Sequence, residues 1–240
     1  EVAAAAGTGA APDTSKDATV ARWTAEARLL LAERDRRRDR APSVRLPDHL
    51  AATRIDALRA DRDRFALDLR RPLPPKPEAA GRLGTVFHEA VALRLGGQRQ
   101  LLTLEQAGVP DALAPGQRRE LERWLKTAEN LPLLEGHVLE DTEVELELAL
   151  EPVTLRCRLD AVFRGPGGTW LIVDWKTGSR RVPVDQLSVY VHALAASRGV
   201  GTGAVRAAYV YVRRDGLVDE LAAADLLSLA EIEAALQVRA

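Results

Sequence analysis

Apolar positions recur first at helical spacing and later at strand spacing. Over 18–39, ATVARWTAEARLLLAERDRRRD, the residues Trp23, Ala27, Leu30 and Leu31 fall roughly on one helix face. Residues 48–67 supply Leu50, Ile55, Leu58 and Phe65, with Leu69 just beyond, and predict one helix or two short ones. GRLGTVFHEAVALRLGG (81–97) opens on glycines and turns helical, with Thr85 as its expected cap and Val86, Phe87, Ala90 and Leu93 as packing positions. A Gly/Pro-punctuated region over 96–116 precedes PGQRRELERWLKTAEN, a helix that turns Leu121, Trp124 and Leu125 to a core. From residue 138 the period changes. VLEDTEVELELAL alternates polar and apolar residues, as a half-buried strand does. EPVTLRCRLDAVFR and TWLIVDW predict two more strands, separated by the turn GPGG at 165–168. Segments 143–150, 153–163 and 169–175 therefore read as an antiparallel meander with short turns. DQLSVYVHALAASRG is the next helix, VRAAYVYVR a fourth strand and DLLSLAEIEAALQVR a closing helix. That order predicts an α/β fold: a central mixed sheet flanked by helices, with N-terminal helical additions.

Breaks in the pattern divide the chain. EVAAAAGTGAAPDTSKD (1–17) is small and polar and reads as a flexible lead-in or linker. APSVRLP at 41–47 is a connector. RRPLPPKPEAAG (70–81) holds four prolines, which exclude a helix interior and favour an extended strap between two packed elements. The division we expect is 1–17 as lead-in, 18–80 as a helical connecting segment with its proline-rich strap, and 81–240 as the main domain.

Composition narrows the function. With 240 residues and 46% hydrophobic content, the chain buries a sizeable core. Charged residues are 29% and nearly balanced, for a net charge of -1, which argues against a strongly basic coat but leaves a local charged cleft open. The basic tail RDRRRDR alternates with acids and reads as a solvated surface. The single cysteine, Cys157, excludes an internal disulfide framework and a four-cysteine cluster. We expect a reducing, cytoplasmic setting. No apolar run reaches the roughly 20 residues of a membrane span, and the Ala-rich opening lacks the layout of a secretory signal. No methionine occurs, position 1 included, so a processed chain, a recombinant piece or a segment of a longer protein is expected. Lysine occurs only at 16, 76, 126 and 176 against an Arg-rich background, which draws attention to Lys176.

Lys176 lies in LIVDWKTG, two residues after Asp174, so both side chains leave an extended strand on one face and Trp175 on the other. Asp160 sits late in the preceding strand, in RLDAVF, where a hairpin sets it beside Asp174. Two adjacent carboxylates raise each other's pKa, and a divalent cation between them removes that cost. Hard oxygen ligands suit Mg²⁺ or Mn²⁺. The Trp175 backbone carbonyl is a further hard ligand, and the imidazole of His88 completes a shell with some preference for Mn²⁺. Gln186 and Tyr190, i and i+4 on a helix, share a face and are placed to hold a phosphate or orient a nucleic-acid strand. Each residue alone has a plain reading: a salt-bridged strand end, a turn aspartate, a packing histidine, ordinary helix-face residues. Together they form the set that metal-assisted phosphodiester hydrolysis uses, with Lys176 near the attacking water or developing charge.

GRLGTVFHEAV, LRCRLDAVF, LIVDWKTG and DQLSVY together resemble the RecB-like branch of the PD-(D/E)xK nuclease superfamily. The resemblance spans about 81–213 and implies a restriction-endonuclease-like core. It also implies roles: metal at His88, Asp160, Asp174 and the Trp175 carbonyl, catalysis by Asp160, Asp174 and Lys176, and support of the site or DNA backbone by Gln186 and Tyr190. Residues 44–77 extend the likeness to the nuclease modules of actinobacterial AdnAB-type helicase–nucleases, on the AdnB-like side. That likeness implies an upstream motor, a heterodimer partner and single-stranded DNA ends delivered by a helicase for double-strand-break resection, with a bacterial, nucleoid-associated location and no membrane. No GxxxxGK[ST] loop occurs, so no ATP site is expected in this chain. Some relatives carry an iron–sulfur cluster, which the lone Cys157 excludes here. Arg158 shares a face with Asp160 and either contacts a phosphate or neutralises Asp160 when metal is absent. The expected reaction is Mg²⁺- or Mn²⁺-dependent hydrolysis of DNA. A catalytically silent DNA-end-binding or structural module, and a nuclease acting on RNA, are the competing readings.

Overall fold

The computed structural model describes residues 18–39, 45–72, 79–96 and 113–237. The lead-in, the strap over 73–78 and residues 97–112 of the Gly/Pro-punctuated region lie outside them. The chain divides into two units, Glu1–Ser43 and Val44–Ala240. In the first, α1 (Ala18–Asp39) covers the span its apolar spacing predicts. Trp23, Leu29, Leu30 and Leu31 on it are exposed.

The second unit begins with β1 (His49–Ala51), α2 (Ile55–Ala60), α3 (Arg62–Arg70), α4 (Ala79–Gly96) and α5 (Pro115–Glu129). The meander follows as β2 (Val138–Leu150), β3 (Val153–Arg164) and β4 (Trp170–Lys176). Then come α6 (Asp185–Arg198), β5 (Val205–Tyr211), β6 (Leu217–Glu220) and α7 (Leu229–Leu236). Among the described residues the sheet has six strands in the order β1-β3-β4-β5-β6, with β2 paired to β3 off that path. β3 is antiparallel to β2 and β4, whereas β4 and β5 run parallel, joined through α6. The sheet is mixed and flanked by helices, a restriction-endonuclease-like core.

Packing follows from the pleat. On β4, Ile172 enters one apolar layer and Leu171, Val173 and Trp175 enter the other. The first layer is completed by α2, α6 and α7. Leu187, Val189, Tyr190, Val191 and Leu194 are all buried, so α6 is apolar nearly all round, as an interior helix must be. The second layer is built by α4 and α5. Leu83, Phe87, Ala90 and Val91 recur at helical spacing on α4, and Leu121, Trp124, Leu125 and Ala128 on α5. Phe87 meets Trp124 and Trp175 edge-on, at 5.9 and 6.4 Å between centroids. No described helix is long and apolar enough to cross a membrane.

Four boundaries differ from the pattern-based expectation. His49–Ala51 is a strand, not the start of a helix, because it pairs in parallel with Thr154–Arg156 and buries Leu50 in the core beside Leu155. α4 begins at Ala79, so Thr85 lies inside the helix rather than capping it. Gly84 serves close approach instead: a Cβ there would sit 2.8 Å from Thr177 Oγ1. The closing helix starts only at Leu229, where Ser228 and Glu231 form a capping box. β6 follows the left-handed pair Asp215 and Gly216 and is too short to show a period.

Candidate metal centre at a gap in the sheet

β2 occupies one edge of β3 over its whole length. The other edge is shared. β1 pairs with Thr154–Arg156, and β4 pairs with Ala161–Arg164. Residues 157–160 of β3 therefore face a gap between the ends of two strands. Asp160 stands at the margin of this gap, one rung past the last β3–β4 pair, Ala161↔Val173, and so opposite Asp174. Its Oδ2 accepts a hydrogen bond from the Trp175 backbone N–H at 2.8 Å, which pins the carboxylate where regular pairing stops.

Five elements bring polar groups to this point. From α4, His88 places Nδ1 3.3 Å from Asp160 Oδ2. From β2, the rungs Thr142↔Ala161 and Val144↔Leu159 set Glu143 across from Asp160. One donor atom each from His88, Glu143 and Asp160 lie within 4.8 Å of one another. From β4, Asp174 Oδ2 lies 2.7 Å from Lys176 Nζ. From α6, Gln186 Nε2 donates to Asp174 Oδ1 at 3.1 Å and lies 2.6 Å from the Tyr190 hydroxyl. Tyr209, beside Asp174 on β5, donates to Gln186 Oε1 at 3.3 Å and offers its ring to Lys176 Nζ, 4.4 Å away. The mouth is a cleft of about 820 Å³ lined in part by His88, Glu143, Arg158, Asp160, Lys176 and Arg180.

Each side chain read from the sequence can thus be placed. His88 and Asp160 meet, and Glu143 joins them. Asp174 lies outside that group of three, held by Lys176 and Gln186. Trp175 sends its ring to the α4–α5 core, 1% exposed. Gln186 and Tyr190 are buried and turned inward on Asp174 and each other. Arg158 opens on the cleft and pairs with Glu143. Cys157 is a buried strand residue whose thiol burial pushes up to about 12, so it supplies no thiolate.

Electrostatics match a site built around positive charge. Burial, and then the neighbouring Asp160, push Asp174 up to about 6, against the pull of Lys176 and His88. Burial draws His88 down, but the Asp160 carboxylate bonded to it, with Asp174 and Glu143 nearby, outweighs this and holds it above its ordinary value. Asp174 Oδ2 is buried and takes no well-formed hydrogen bond although Lys176 is close. Three carboxylates with one imidazole, and a buried oxygen short of a donor, fit a hard divalent ion.

Glu143, Asp56 and Tyr209 were not read from the sequence. Glu143 was signalled by register: the turn that pairs Leu150 with Val153 counts back to set Glu143 opposite Asp160. Two acids directly opposite are unfavourable unless a cation serves both. Asp56 of α2 has no such signal, because its neighbours come from a distant helix. The Gln186 backbone N–H bonds to it, while burial and then Asp185 push it up to about 6. A carboxylate raised in the fold lends its full stability only below its unfolded pKa and loses it as pH rises through the folded value. Asp56→Asn is accordingly expected to stabilise the protein at about pH 7.5 by about 1 kcal/mol after solvent screening, and to change little at about pH 4. Thermal melts at the two pH values check this, and an equal shift at both would refute it.

A family model described as the PD-(D/E)XK nuclease superfamily matches residues 49–238. No curated protein matches the chain. Among solved structures, a candidate exonuclease from Eubacterium rectale is similar at 12% identity, covering 78% of each chain with a TM-score of 0.52. A second, SSO0001, is 14% identical over 80% of this chain and 75% of its own, with a TM-score of 0.31.

Proposed function

The chain belongs to the PD-(D/E)XK nuclease superfamily, and from that premise we propose that it is a Mg²⁺- or Mn²⁺-dependent nuclease that hydrolyses DNA phosphodiesters. The observation that carries this reading is the meeting of His88, Glu143 and Asp160 within 4.8 Å, beside the Asp174–Lys176 pair, at the gap between β1 and β4.

His88, Glu143, Asp160 and Asp174 are the residues that would hold the ion, with the Trp175 carbonyl as a further oxygen. The bound ion supplies Lewis acidity, polarising a phosphoryl oxygen and acidifying water. The protein's own groups do the rest. Lys176 Nζ, anchored by Asp174 and the Tyr209 ring, holds positive charge where the attacking water or the developing anion sits. Gln186, fixed between Tyr190 and Tyr209, orients Asp174 through one amide hydrogen bond. Arg156, Arg158 and Arg180 on the cleft wall offer charge to the sugar–phosphate backbone, so cleavage is expected to show little base preference.

The finer assignment is the nuclease module of a RecB-like, AdnAB-type helicase–nuclease acting on single-stranded ends fed by a motor. It rests on the likeness of residues 44–77 to the segment joining motor and nuclease in such enzymes. The test is purified protein with labelled single-stranded DNA and RNA in Mg²⁺, Mn²⁺ and EDTA. Cleavage of DNA with either ion and none in EDTA is expected. Absence of cleavage with both ions would overturn the enzyme reading in favour of a DNA-end-binding module, and preferential cleavage of RNA would overturn the substrate.

A further inference from the structure

Arg158 stands two residues before Asp160 on β3, with 69% of its side chain exposed. Glu145 lies directly across the strand pair from it, as Glu147 lies across from Arg156. Arg156 pairs with its direct partner, at 3.4 Å. Arg158 does not. Its Nε reaches diagonally past Glu145 to Glu143 Oε2. The guanidinium therefore contacts not the directly opposite, solvent-facing acid but the carboxylate that meets His88 and Asp160, with Glu145 still acting on it through space. Glu143 is itself set apart by a backbone φ of 55°, a left-handed conformation that a non-glycine residue keeps only where its surroundings select it.

A carboxylate oxygen engaged by a guanidinium is a poorer ligand, so a cation arriving at His88, Glu143 and Asp160 competes with Arg158. The competition is easily won by the cation, because an exposed ion pair is worth a factor of only about 2 to 5 in an equilibrium constant. A displaced Arg158 remains on the cleft wall with Arg156, Lys176 and Arg180. Its planar fork then matches a phosphate.

Building on the nuclease reading above, we propose that Arg158 is a place-holder cation that neutralises Glu143 in the metal-free site and, once a divalent ion takes Glu143, transfers to a backbone phosphate of the nucleic acid in the cleft. Metal loading then does two things at once: it completes the site and releases a cation for substrate. Nucleic acid is gripped fully only when the site is loaded.

The test is the salt dependence of single-stranded oligonucleotide binding by the full chain, in EDTA and in Ca²⁺, with oligonucleotide integrity checked. One phosphate contact contributes about 0.7 to the logarithmic salt slope on a single strand. Arg158→Ala is expected to lower the slope by about that amount in Ca²⁺ and to leave it unchanged in EDTA. Glu143→Gln, which frees Arg158 without metal, is expected to steepen the slope in EDTA by a similar amount. Calorimetry with Mn²⁺ alone is expected to show Arg158→Ala binding the ion about 2- to 5-fold more tightly than wild type. Equal slope changes in EDTA and Ca²⁺ would mark Arg158 as an ordinary surface cation and overturn the exchange. So would unchanged or weaker Mn²⁺ affinity, or a wild-type protein that binds no divalent ion. Wild-type protein that shows the exchange but cleaves no nucleic acid overturns the nuclease reading alone.

Discussion

Asp174→Asn is expected to reduce metal-dependent cleavage of single-stranded DNA by ~10³-fold or more while leaving the fold intact. The residue is 4% exposed and sits at the end of β4, where Gln186 and Lys176 converge on it. Its carboxylate is raised to about 6 by burial, so the ionised form is worse off in the folded protein than in water. Replacing it by a neutral isostere removes that cost. The melting temperature in EDTA at about pH 7.5 is therefore expected to stay level or rise. Activity depends on the negative charge, which helps hold the divalent ion and anchors the Lys176 ammonium. Single-turnover cleavage in Mg²⁺ and Mn²⁺, thermal melts and Mn²⁺ calorimetry read the three effects separately. A folded variant that cleaves at the wild-type rate would remove Asp174 from the site.

Lys176→Gln is expected to lower kcat by about 10²-fold without weakening Mn²⁺ binding. Lys176 Nζ lies 2.7 Å from Asp174 Oδ2 and 4.4 Å from the centre of the Tyr209 ring, so both its position and its charge are set by contacts. In the metal-free protein this ammonium occupies a carboxylate oxygen. Removing it leaves that oxygen free for the divalent ion, so Mn²⁺ affinity is expected to hold or increase. Asp174→Asn, by contrast, is expected to lose both affinity and rate. Parallel Mn²⁺ titrations and saturating-substrate kinetics distinguish the two variants. Loss of Mn²⁺ affinity in Lys176→Gln would make the lysine a structural support of the metal site rather than a group acting on the reaction.

The strands and helices with long, clean periods were legible from residue types alone. α5 and the β2–β3–β4 meander follow their hydrophobic patterns closely, because their local period and their burial agree, whereas α1 keeps its helical span with its apolar residues exposed. β1 and β6 escaped notice for the opposite reason. At three and four residues they are too short to carry a period, and they are strands only because β3 and β5 offer them an edge. Thr85 illustrates a different failure. The glycines before it look like a helix boundary, yet α4 runs through them, and Gly84 is there for its close approach to Thr177.

The sequence by itself determined an α/β mixed sheet and pointed to His88, Asp160, Asp174, Lys176, Gln186 and Tyr190 as its polar groups of interest. Alternation in LIVDWKTG dictates that Asp174 and Lys176 share a face, and the helical i,i+4 spacing dictates that Gln186 and Tyr190 do. Those are local consequences of backbone geometry, and local geometry is written in sequence. Only the tertiary structure decided which groups face one another across elements. It set β1 and β4 on one edge of β3 with a gap between them, Glu143 opposite Asp160, and Arg158 on Glu143 rather than on Glu145. It also turned Gln186 inward onto Asp174 and brought Asp56 to the start of α6. Those relations depend on register and packing between elements, within one hairpin for Glu143 and Arg158 and between distant segments for β1 and Asp56, which the period of a single element does not contain.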